Sequence, residues 1–222
     1  MNLSKVEVSE WQDVLKHLYI PPIGKDGVIE QFEGFFELQS VELSTKDKTR
    51  APISRLFDWK QVNQTRIVKQ ADVLMIPFLF PDRLTPAVIE ANYNYYEPIT
   101  DHGSSLSPCV HAAIAARIGR MDDALRYWTE SLYFDLHNTM SNSQLGIHAA
   151  ALGGTWQAFV FHLLGVRVSE TGFSFDERAA ALIPSEWRGL QMTLKYRNRT
   201  YLLVLDTRTI SEIDTKGNSK AA

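Results

Sequence analysis

The chain has 222 residues, 45% hydrophobic and 11% aromatic, enough apolar matter for one large core or a core with a small appendage. With 23 Lys and Arg against 26 Asp and Glu, the net charge is −3 and no long run of one sign occurs, which excludes the clustered basic face of a nucleic-acid binder. The single Cys109 excludes an internal disulfide and suits a reducing compartment, and the longest apolar run, VLMIPFLFP, is far below the ~20 residues of a membrane helix.

The first segment, MNLSKVEVSEWQDVLKHL, has neither an apolar signal core nor a small-residue cleavage pattern, so a cytoplasmic location is expected. Ser9 with Gln12 reads as a capping box opening a helix that carries Val14, Leu15 and Leu18 on one face. Paired prolines and Gly24 and Gly27 in YIPPIGKDG force a turn. VIEQFEGFFELQSVEL, interrupted by Gly34, predicts an extended segment packed against helices, and STKDKTRAP predicts a solvated loop.

From Asp58 to Phe80 the spacing of Val62, Ile67, Val68, Ala71, Val73, Leu74 and Ile76 predicts a helix. Another starts at TPAVIEANYNYY, with Thr85 as N-cap and Pro86 in the first helical position. SLSPCVHAAIAARIG predicts a helix stopped by Gly119. MDDALRYWTESLYFDL places Ala124, Leu125, Trp128, Leu132 and Leu136 on one face. GIHAAALGGTWQAFVFHLLG is apolar nearly all round, which predicts a buried helix. Short links between these elements argue for antiparallel neighbours in a layered helical assembly.

After Gly165 the pattern alternates at period two in VRVSETGFSF and GLQMTLKYRNRTYLLVLDTRTISEI, with RNR as a hairpin turn. The organisation read from the sequence is a helical part over 1–165, a small β module over 166–213 and a disordered tail over 214–222.

One turn invites a chemical reading. Gly103-Ser104-Ser105 stands directly before a helix, where free backbone N–H groups and the positive dipole end favour an anion. The plainer reading is that Ser105 or Ser107 caps the helix. His148, on a small-residue helix, reads by itself as a core histidine, Gly153-Gly154 as a close helix contact, and Lys69-Gln70 as a solvated face. Trp156 reads as core ahead of a sugar platform, and Glu97 as a helix-end carboxylate against tyrosines ahead of a base.

Three stretches carry more than pattern. IVKQADVLMIPFLFPDRLTP, NYYEPITDHGSSLSPCVHAAIAARIG and GIHAAALGGTWQAFVFHLLGVRV resemble, in order and interval, signatures of glycoside hydrolase family 65, which holds the maltose, kojibiose, nigerose and trehalose phosphorylases and a few hydrolases. The resemblance runs to about Tyr201. It implies a mainly α fold: the later half of an (α/α)6 barrel over 1–165, followed by the β module. It also implies that the chain is a C-terminal portion, since the family's general-acid glutamate lies in a Gly-x-Asp-Glu type segment ahead of the helix resembling SEWQDVLKHLYIPP, and this sequence has none.

The implied substrates are an α-linked glucose disaccharide and inorganic phosphate as co-substrate, with no metal or organic cofactor. The implied partners are a second copy of the chain or an N-terminal partner chain. By the family pattern, Ser104, Ser105, His148, Gly153 and Gly154 hold phosphate, and Lys69 and Gln70 hold glucose. The family's Thr-x-His-Asp-Ser-Ser-Leu-Ser becomes Thr100-Asp101-His102-Gly103-Ser104-Ser105-Leu106-Ser107 here. The carboxylate of Asp101 repels phosphate but suits a base that activates water, so phosphorolysis and hydrolysis both stay open.

Overall fold

The computed structural model describes residues 3–41, 43, 53, 58–177 and 189–213. The expected loop STKDKTRAP, the expected tail at 214–222 and residues 178–188 of the expected β module lie outside these described residues. Helix α1 (Lys5–His17) is opened by Ser4, not Ser9: the Glu7 N–H donates to Ser4 Oγ (3.2 Å) and the Ser4 N–H to Glu7 Oε2 (2.9 Å). Both serines have an acid or amide three residues on, and the helix begins at the earlier pair. α1 buries no residue, and Trp11, Val14 and Leu15 are 54%, 62% and 70% exposed.

The segment after α1 is fastened to the helices by one buried amide. Asn92 accepts from the Ile29 N–H (2.8 Å) and donates to the Gly27 carbonyl (2.9 Å), while Tyr96 donates to the Ile29 carbonyl (2.6 Å). Where the sequence predicts one helix from Asp58, the chain forms α2 (Trp59–Val62), an extended stretch, and α3 (Asp72–Leu79). Ile67 and Val68 are β-branched and buried, and the chain spends their backbone on a parallel bridge: the Val68 N–H donates to Ile99 O (3.0 Å) and the Asp101 N–H to Val68 O (2.8 Å). Tertiary pairing overrides helical spacing here.

Helix α4 (Pro86–Tyr96) is capped by Thr85, with Pro86 at its start. Helix α5 (Ser107–Arg117) is the centre of the molecule, with Ala112 to Ala116 fully buried and α3, α4, α6 and α7 packed around it. Its alanine-rich surface allows that close approach. Helix α6 (Met121–Tyr133) turns Ala124, Tyr127 and Ser131 inward, whereas Leu132 and Leu136 of the expected stripe are 39% and 76% exposed. Helix α7 (Ala149–Gln157) continues as one π-helical stretch, Ala158–Leu163. It is one-sided rather than buried all round: Leu152 and Trp156 are 38% and 46% exposed.

Gly165, at φ +69°, ends the helical part, and strand β1 (Val166–Ser169) pairs antiparallel with β2 (Gly172–Phe175). Strands β3 (Gln191–Tyr196), β4 (Arg199–Val204) and β5 (Thr209–Ile213) form a second antiparallel sheet in that order. The RNR turn is a two-residue hairpin with Arg197 and Asn198 both at positive φ, +47° and +62°, whose twist matches the strands it joins. Tyr201, Leu203 and Leu205 pack with Val160 of the π-helical stretch and with Leu164, which follows it. Over the described residues the fold is thus mainly helical with two small antiparallel sheets. Among the described residues no helix is long and apolar enough to cross a membrane.

Candidate active site

The Val68–Thr100 bridge brings the segment carrying Lys69 and Gln70 beside the turn carrying Asp101 to Ser105. Gln70 Nε2 donates to Ser104 Oγ (2.5 Å), and the Leu106 N–H donates to the same oxygen (3.4 Å). With both lone pairs of that hydroxyl taken, its proton is what it has left to give, which suits an anion. The turn leads into α5, whose first residue, Ser107, donates its N–H to Ser104 O (3.2 Å). Neither Ser105 nor Ser107 supplies a side-chain cap to α5.

The third segment arrives on α7. His148 precedes its first residue and is held by Asp135, which accepts from the His148 N–H (2.8 Å) and meets its ring at Nδ1 (2.6 Å). The hydrogen bond to His148 keeps the Asp135 carboxyl below its ordinary value. Fixing Nδ1 leaves Nε2 as the nitrogen for other work. The two glycines part company. A Cβ on Gly154 would lie 2.5 Å from Cys109 Sγ, so this residue serves close packing on α5; a Cβ on Gly153 would meet nothing within 4 Å. Burial holds the Cys109 thiol up at about 11, protonated and inert at neutral pH.

A cavity of about 360 Å³ lies between these three segments, walled by Gln70 and Asp72, by Ser107 and His111 of α5, and by Gly153 and Gly154 of α7. That is the lower end of the range for small-molecule sites. Of the sequence candidates, Gln70, Gly153 and Gly154 line it, and Ser104 is tied to it through Gln70. Lys69 is exposed beside it, and Ser105 is half-buried in the turn. Lys69, Asp101, Ser105 and His148 are not part of the wall. The Asp101 carboxylate turns away: Oδ1 accepts from the Ile53 N–H (3.0 Å), and Oδ2 lies 2.4 Å from where a Cβ on residue 103 would be. Gly103 is therefore small because Asp101 occupies its side-chain space.

Sequence reasoning missed three residues. Asp72, in the first turn of α3, puts a carboxylate on the cavity wall, and burial raises it above its ordinary value. Its place two residues after Gln70 was the available signal. Asp135 and Tyr127 gave none, because their partners lie far along the chain. Glu97 takes a bond from Tyr127 Oη, as a helix-end carboxylate against tyrosines should.

Residues 1–157 match the glycosyl hydrolase family 65 central catalytic domain. A kojibiose phosphorylase of Halothermothrix orenii is 35% identical over 195 residues, 88% of this chain and 24% of that one. An alpha,alpha-trehalose phosphorylase of Geobacillus stearothermophilus is 32% identical over 94% of this chain and 27% of its own length. A solved structure assigned as a kojibiose phosphorylase from the human microbiome superposes with a TM-score of 0.76 at 26% identity, covering 95% of this chain and 29% of that one. The chain thus spans about a quarter of the length of these relatives. By the matched domain and these identities, the chain belongs to glycosyl hydrolase family 65.

Proposed function

We propose that the chain supplies the phosphate and glucose side of an inverting α-glucoside phosphorylase site. Residues 1–165 form the later part of the (α/α)6 barrel and 166–213 a β module. Inverting phosphorolysis needs an acid to protonate the leaving glycosidic oxygen, while phosphate attacks the anomeric carbon from the opposite face. Phosphate is already a nucleophile, so the protein's task on that face is to hold and aim it. In this reading Ser104, Ser105, the start of α5 and His148 with Gly153 and Gly154 hold phosphate, and Lys69 and Gln70 hold glucose. The observation that carries it is the Gln70–Ser104 bond, which joins the sugar side to the anion side at the rim of one cavity.

The engagement of Asp101 by the Ile53 N–H favours phosphate over water as nucleophile, since a base must reach the water it activates. In this reading the general acid is supplied from outside this sequence, and loss of a general acid costs about 10²–10⁴-fold. The 222-residue chain alone is therefore expected to bind phosphate and glucose but to release no glucose 1-phosphate from kojibiose, maltose, nigerose or trehalose. Phosphorus NMR titration and a coupled glucose 1-phosphate assay check both halves. Turnover by this chain would overturn the division of labour, and failure to bind phosphate would overturn the site.

A second reading has its own support. α1 exposes its whole apolar stripe, and a 13-residue helix with nothing buried is marginal in water. Such a face suits a polypeptide partner, either a second copy or a chain supplying the rest of the barrel. Native mass measurement decides: a monomer that stays soluble at high concentration counts against it.

A further inference from the structure

Beneath the Gly103–Ser105 turn runs a buried polar chain that the phosphate reading does not use. His102 has φ +53°, a conformation costly for a residue with a side chain, and is only 8% exposed. Both ring nitrogens are engaged: Nδ1 with Ser107 Oγ (2.8 Å) and Nε2 with Tyr127 Oη (3.0 Å). Tyr127 Oη also bonds Glu97 Oε1, and the Arg126 guanidinium lies 3.9 Å above the Tyr127 ring.

The directions of these bonds follow from donor counting. A carboxylate only accepts, so the single Tyr127 proton goes to Glu97 and its oxygen accepts from His102 Nε2–H. In the neutral ring Nδ1 is then bare, and the Ser107 hydroxyl donates to it. His111 Nδ1 in turn donates to the Ser107 carbonyl (3.0 Å), closing the chain on α5. His102 is thus pinned at one end of the turn to α6 through Tyr127, and at the other to the first residue of α5. Between the pins stand Gly103, Ser104 and Ser105.

We infer that His102 is the positioning residue of this turn, with Tyr127 and Glu97 fixing its ring and tautomer so that Ser104 and Ser105 are presented to an anion. The effect on phosphate rests on the function proposed above; the effect on the turn does not. Strain at φ +53° persists only while neighbours over-determine it, and these two side-chain bonds are among those that hold it.

The test uses the full chain with Tyr127→Phe, His102→Ala and His102→Asn, read by hydrogen exchange and by titration with inorganic phosphate and glucose. Tyr127→Phe keeps the ring under Arg126 and removes one hydroxyl. It should speed exchange of the Asp101, Leu106 and Ser107 amides about 10-fold and weaken phosphate binding about 5- to 150-fold, the range for a buried group left unpaired, with glucose affinity within about 3-fold. Asparagine tolerates positive φ and carries an amide for Ser107, so His102→Asn should recover most of the phosphate affinity lost in His102→Ala. Unchanged exchange in Tyr127→Phe overturns the inference. So does an equal loss of phosphate and glucose affinity with a lowered Tm, the mark of a purely structural role. If the parent chain binds no phosphate while Tyr127→Phe still frees the turn, the phosphate reading falls and the positioning role stands.

Discussion

Gly103→Ala, made with and without Asp101→Ala, tests whether these two residues form one steric unit. A Cβ on residue 103 would sit 2.4 Å from Asp101 Oδ2 and 3.2 Å from its Cγ, where ordinary contact begins at 3.4 Å. Gly103 has no left-handed φ, so the alanine backbone is unstrained, and it gains about 0.4–1 kcal/mol from a less free unfolded chain. Against that, Asp101 must swing away and abandon the Ile53 N–H, and a buried donor left unpaired costs about 1–3 kcal/mol. The single variant should therefore lose about 1–2 kcal/mol. Once Asp101→Ala has emptied the space, the same alanine should be neutral or stabilising by up to about 1 kcal/mol. The cycle predicts a coupling of about 1–3 kcal/mol, outside the ~0.5 kcal/mol scatter of independent sites. Urea unfolding of the four proteins, compared at equal m values, measures it. Additivity would mean that the carboxylate does not occupy this space; Asp101 would then be free to act as a base, and hydrolysis would displace phosphorolysis as the better reading.

Other outcomes follow from the same geometry. Gly154→Ala should lower stability by about 1–3 kcal/mol, the usual cost of overpacking, because its Cβ would strike Cys109 Sγ at 2.5 Å. Gly153→Ala, with open space before it, should raise stability by about 0.5–1 kcal/mol while narrowing the cavity and weakening ligand binding. Thermal unfolding and phosphate titration of the pair separate packing from function. Asp135→Asn should weaken phosphate binding by freeing His148, and it should remove stability that the parent holds above the ordinary carboxylate value of 3.8 and loses as pH falls through the lowered value. His162, stacked on Phe78, is pushed down to about 3, first by burial and then by Arg117 and Arg167. The unfolded chain then holds a proton that the folded chain refuses, so stability should fall from pH 6.5 toward about 3 by about 1.4 kcal/mol per pH unit. His162→Phe should flatten that limb in pH-dependent denaturation, and an unchanged limb would refute the assignment.

What the sequence made legible was local chemistry. Thr85-Pro86 opens α4 because a hydroxyl and a fixed φ satisfy a helix start whatever lies around them. Arg197-Asn198 turns a hairpin because flanking alternation leaves it no other place. What failed was decided at a distance. Ile67 and Val68 fit a helical stripe as well as any pair, yet residues some thirty positions on offered them a β bridge. On α6 the apolar stripe through Leu132 and Leu136 lost to one through Tyr127 and Ser131, because polar partners on other elements, His102 and Thr155, were waiting for those hydroxyls. The candidate site divides likewise. Ser104, His148 and Gln70 stood out by motif, whereas Asp135 and Tyr127, which hold two of the predicted elements in place, carry no motif.

The electrostatics of the cavity constrain how such a site would work. Among the described residues no lysine or arginine is on its wall, and the carboxylic acid there, Asp72, is pushed toward its neutral form by burial. Under the proposed function an anion would be held by the Ser104 hydroxyl proton and by N–H groups at the start of α5; the Nδ1–H of His148 is spent on Asp135, so its Nε2 could donate only from an imidazolium ring. Neutral donors need no counter-charge but lose their advantage if they must reorganise, so their worth depends on being held in place beforehand. The hydrogen bonds described here act in that sense. Gln70 fixes the Ser104 oxygen, His102 and Tyr127 fix the turn, and Asp135 fixes the histidine ring. Under the proposed function Gln70 would serve the sugar side while orienting Ser104, so glucose that tightened the Gln70 amide would also tighten the anion donor. By linkage, phosphate would return the same favour to glucose.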